Sequence, residues 1–68
     1  MKDGIAARIF ELRNEANLSQ QKLASIIGVT QKAIDFWEKG INEPKASYII
    51  KLAQFFNVST DYLLGIEK

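Results

Sequence analysis

The sequence predicts an all-α domain of five short helices, and three observations carry that prediction. Apolar residues recur at three- and four-residue spacing, a helix-start signature occurs three times, and no segment reads as a strand. The 68 residues form one domain, 1–68, near the lower size at which a single apolar core holds a fold without staples. With no cysteine and no histidine, the chain lacks disulfides, the commonest metal ligands and the usual general base. Apolar packing must then hold the fold, and a hydrophobic content of 47% allows it.

The first helix is expected over about residues 4–16, where Ile5, Ile9, Leu12 and Ala16 fall at helical spacing. Three later segments share one pattern: an apolar residue, then Ser or Thr, then an apolar residue four further on. They are Leu18-Ser19 with Leu23, Val29-Thr30 with Ile34, and Val58-Ser59 with Leu63. A hydroxyl at that point satisfies orphan backbone amides while the flanking apolar pair clamps the entering chain. Helices are therefore expected to start at 19, 30 and 59. Between the last two lies "PKASYIIKLAQFFN", in which Ile49, Leu52, Ala53 and Phe56 share a face after Pro44. The loop "GINEPK", residues 40–45, carries clear turn chemistry, and Gly65 closes the last helix.

Nothing at the N-terminus resembles an export signal and no apolar run is long enough to span a membrane, so a cytoplasmic protein is expected. Nine basic and eight acidic residues give a net charge of +1, which neither announces nor excludes a nucleic-acid partner. Any such case rests on local geometry.

Gly28 stops the second helix after barely two turns, and a positive φ there is free of strain for glycine. Together with the small Ala24, it is expected to let the next helix cross closely. Leu23, Ile27, Val29, Ile34 and Trp37 line the inner faces, which leaves Gln31, Lys32, Asp35, Phe36 and Lys39 outward. A tight helix pair of this kind, over about residues 19–39, is a helix-turn-helix, whose second helix enters the major groove of DNA.

The stretch "LSQQKLASIIGVTQKAIDFWEKG", a proline four residues on, and "IIKLAQFFNVSTDYLL" together resemble the phage repressor and Cro-like family of transcriptional regulators. The resemblance runs from about Arg8 to Leu64. It implies a five-helix lambda-repressor-like domain with the helix-turn-helix in helices 2 and 3. It also implies double-stranded DNA, through a palindromic operator, as partner, and a homodimer on that DNA. No cofactor, no metal and no catalysis are expected.

The resemblance assigns Gln20 to a phosphate and Gln31 to a base edge, where a glutamine can pair with adenine N6 and N7. Ser19, Thr30, Lys32, Lys39, Asn42 and Lys45 are candidates for phosphate contacts. Asp35 and Phe36 depart from the expected face: the carboxylate is repelled by phosphates unless it accepts from cytosine N4, and the ring either meets a thymine methyl or packs near Ile41. Arg13 and Glu38 are expected to form a structural ion pair. Lys45 stands where the family commonly has a capping serine, and so sets a positive charge at the positive end of the fourth helix. Tyr62, Leu64 and Ile66 are expected at a dimer face. A rival reading keeps the scaffold but makes it a protein-interaction module, or an antitoxin-like protein that holds a partner.

Overall fold

In the computed structural model, which describes residues 4–66, three helix starts follow from capping hydroxyls and the helix stops from residues of positive φ. The elements are α1 (Ile5–Glu15), α2 (Gln20–Ile27), α3 (Gln31–Lys39), α4 (Ala46–Phe56) and α5 (Thr60–Leu64), with no strand among the described residues. Ser19 Oγ accepts from the amide of Lys22, Thr30 Oγ1 from that of Ala33 and Ser59 Oγ from that of Tyr62, at 2.9–3.1 Å. These are the three expected hydroxyl caps. Leu18, Val29 and Val58, each preceding a cap, pack partly buried against the core.

All five helices end the same way. A residue of positive φ (Asn17, Gly28, Gly40, Asn57, Gly65) follows the helix, and the next amide reaches back five residues. The bonds run from Leu18 to Arg13, Val29 to Ala24, Ile41 to Phe36, Val58 to Ala53 and Ile66 to Asp61, at 2.9–3.1 Å. This six-residue closure satisfies the carbonyls that a helix end leaves orphaned. Asn17 and Asn57 do so because asparagine tolerates the left-handed region better than other residues with a Cβ.

The expectation for Gly28 is corrected in one respect. Its φ of +91° is the left-handed turn foreseen, but a Cβ added there meets no atom within 4 Å. Glycine thus serves the dihedral angle and not a close approach of helices. Small size matters instead at Ala24, which is only 3% exposed inside the α2–α3 pair.

Each helix contributes one side chain with no exposed surface: Ile9, Leu23, Ile34, Leu52 and Leu63. Burial of such a group contributes about 1.5–3 kcal/mol, and Ala24, Ile27, Trp37 and Ala53 complete the core. α3 packs on both α1 and α2, while α5 packs on α1 and α4. Between α1 and α5, the Arg8 guanidinium lies 4.0 Å from the centre of the Tyr62 ring. No helix among the described residues is long and apolar enough to cross a membrane.

Candidate nucleic-acid interface

The same sequence of a positive-φ residue, an apolar residue and a capping hydroxyl precedes α2 (Asn17-Leu18-Ser19) and α3 (Gly28-Val29-Thr30), and the two helices pack together with their first turns near one another. Gln20 and Gln31 are the first residues of these helices. With Lys32 and Asp35 they line an open depression of about 370 Å³. Gln31 and Lys32 are exposed, whereas Gln20, Asp35 and Phe36 are half-buried. The Lys32 ammonium lies 5.8 Å from the centre of the Phe36 ring, one turn on. The amphipathic pattern of α3 accounts for this split: Ile34 and Trp37 are buried inward, and the polar residues stay outward.

Behind the depression runs a chain of polar contacts. Arg13 on α1 donates through Nε to Glu38 Oε2 at 2.6 Å and through Nη2 to Oε1 at 3.0 Å, and through Nη1 to the Leu18 carbonyl at 2.8 Å. The hydrogen bond to Glu38 raises the pKa of Arg13 against the opposing effect of burial, so the guanidinium stays charged. Gln20 Nε2 donates to Glu38 Oε1 at 3.1 Å and to Asp35 Oδ1 at 3.2 Å. The Lys39 ammonium lies 3.0 Å from Asp35 Oδ2. Hydrogen bonding to Lys39 first, then to Gln20, holds the Asp35 carboxyl below its ordinary range.

Several residues singled out in the sequence meet here, and others do not. Asp35 is not a lone carboxylate on an outer face, because Gln20 and Lys39 each take one of its oxygens. Ser19 and Thr30 sit at the rims as caps. Asn42 is exposed but lines a separate depression of about 310 Å³ with Gly4, Trp37 and Glu43. Lys45 is the N-cap residue of α4 and makes no side-chain cap bond.

Of the residues expected at a dimer face, Leu64 and Ile66 are exposed. Tyr62 is half-buried, and Arg8 takes one face of its ring within the chain. The hold of two carboxylates on Gln20 is absent from the expectations drawn from the sequence. Its signal was the 15- and 18-residue separation of Gln20 from Asp35 and Glu38, visible once the two helices are paired.

Residues 9–63 match the family described as helix-turn-helix. The chain is 31% identical over 61 residues, or 90% of its length, to the HTH-type transcriptional regulator ImmR of Bacillus subtilis, but spans only 48% of that protein. About half is typical of several such relatives. Among solved structures, the P22 c2 repressor in complex with a synthetic operator superposes with a TM-score of 0.87 at 30% identity, covering 94% of this chain and 97% of that one. The biofilm master regulator SinR in complex with DNA superposes at 0.78 and 27% identity, covering 87% and 95%. By the match over most of its length, this chain belongs to the helix-turn-helix family.

Proposed function

We propose that the chain binds double-stranded DNA through α3 in the major groove and regulates transcription, as a repressor. The observation that carries this is the depression shared by Gln20, Gln31, Lys32 and Asp35 at the paired starts of α2 and α3. A helix start offers forward-pointing side chains and backbone amides to an anionic backbone. Support comes from the P22 c2 repressor, which matches nearly end to end and is bound to operator.

In this reading Gln31 meets a base edge, and Lys32, Lys39, Asn42 and Lys45 meet phosphates. Ser19 and Thr30 fit the same role, since each oxygen accepts an amide within the chain while the hydroxyl hydrogen remains to be donated. Phe36 contributes an apolar surface for a thymine methyl. The protein acts as a cytoplasmic homodimer on a palindromic operator, with exposed Leu64 and Ile66 at the contact.

Selection from a random duplex pool at physiological salt tests the proposal. A palindrome enriched by the protein, with affinity that falls steeply as salt rises, is the expected result. No enrichment over background overturns it.

A further inference from the structure

Asp35 lines the depression with both carboxylate oxygens engaged. Lys39, one turn further along α3, sets its ammonium 3.0 Å from Oδ2, and Gln20, the first residue of α2, donates to Oδ1 at 3.2 Å. The same Gln20 nitrogen lies 3.1 Å from Glu38 Oε1, and Arg13 grips Glu38 at two points. The contacts run in one chain from the near-buried ion pair out to Lys39. Asp35 is thereby fixed from behind and does not follow its lysine if the ammonium swings away.

The two lysines of α3 therefore face a duplex on different terms. Lys32 lies 5.8 Å from the centre of the Phe36 ring, a contact that leaves its charge uncancelled. Lys39 and Asp35 together present no net charge to a phosphate. Their pair is open to solvent, with side chains 61% and 32% exposed, and an i,i+4 pair so placed is weak. It opposes a phosphate contact by Lys39 without forbidding it.

Resting on the reading of the chain as a DNA-binding protein, we propose that Asp35 is a positioning residue that acts on the duplex through Lys39. It holds the ammonium back along α3 and so withholds the attraction of about one phosphate contact. Attraction to the backbone is the sequence-independent part of affinity. Muting it lowers binding to every duplex alike and leaves base contacts a larger part of what remains.

Salt titrations of the selected duplex with wild type, Asp35→Asn, Lys39→Gln and the double variant test this assignment. Asp35→Asn keeps the size of the side chain and an oxygen for Gln20, and removes only the charge that holds Lys39. It is expected to bind roughly fivefold tighter at about 0.15 M salt and to steepen the slope of log affinity against log salt by about 0.9, as one further neutralised phosphate does. That gain should require Lys39. In a Lys39→Gln background, Asp35→Asn should change affinity by less than about twofold, the scatter of independent sites.

The dependence on Lys39 decides the matter, because a carboxylate that merely repels the backbone also tightens binding when it is neutralised. Equal gains in the two backgrounds, or no gain in either, overturn the assignment while DNA binding stands. Wild-type protein that enriches no duplex overturns the underlying reading and the assignment with it.

Discussion

Arg13 and Glu38 stand 25 positions apart and meet in a two-point contact, Nε to Oε2 at 2.6 Å and Nη2 to Oε1 at 3.0 Å, with side chains only 11% and 5% exposed. The third arm of the guanidinium bonds the Leu18 carbonyl in the linker before α2. One side chain thus ties α1, the α2 entry and the end of α3 together. The planar fork of arginine suits this task in a way lysine does not.

Removing one partner leaves a near-buried charge uncompensated. Arg13→Met is therefore expected to lower unfolding free energy by about 3 kcal/mol, whereas adding Glu38→Leu restores most of it. Urea unfolding followed by the fluorescence of Trp37, the sole tryptophan, measures both. A double variant as unstable as the single one contradicts this account.

Gly28 is needed for its φ of +91° and not for space. Gly28→Ala is expected to cost about 1 kcal/mol, the usual strain of a Cβ in the left-handed region. Gly28→Asn should cost less, since Asn57 ends α4 with φ +58° in an equivalent turn, and Gly28→Val should cost most. Melting temperatures of the three variants give the order. Equal losses in all three point to a steric role that the open surroundings do not suggest.

The capping hydroxyls Ser19, Thr30 and Ser59 were legible because their signal is local: an apolar residue before, another four after, and a hydroxyl between. The left-handed Asn17 and Asn57 were as local but went unused, although each precedes the same apolar-hydroxyl pair as Gly28. What no local pattern carries is the state of a polar side chain after helices pair. Gln20 and Asp35 read as separate outward residues along the chain, and become partners only when α2 lies on α3. Tyr62 likewise is expected from the sequence at a dimer face, whereas the packing of α1 on α5 brings Arg8 over its ring.

The hold on Asp35 has a pH signature. Its carboxyl sits below the ordinary range in the folded state, chiefly through Lys39 and then Gln20. Between the folded and unfolded pKa values the unfolded chain binds more protons, so stability falls with falling pH. The contribution is whole above the unfolded value, about 3.9, and is lost as pH drops through the lower folded value. Asp35→Asn should flatten the dependence of melting temperature on pH below about 4, relative to wild type. Parallel curves for the two proteins argue against a stabilising role for the carboxylate.

Lys45 offers a test in which stability and function move in opposite directions. It occupies the N-cap of α4 without a side-chain cap bond, and it sets a positive charge at the positive end of the helix dipole. A serine there accepts an orphan amide, worth about 1 kcal/mol, and removes the unfavourable charge. Lys45→Ser is accordingly expected to raise the melting temperature by roughly 5 °C, as a gain of that size does in a domain this small. In the proposed complex the ammonium neutralises one phosphate, so the same change should weaken binding to every duplex. It should also lower the slope of log affinity against log salt by about 0.9. A thermal melt and a salt titration of one variant decide the matter. A melt that rises with an unchanged salt slope removes Lys45 from the interface, and a melt that falls shows that the lysine stabilises α4 by a contact other than a cap.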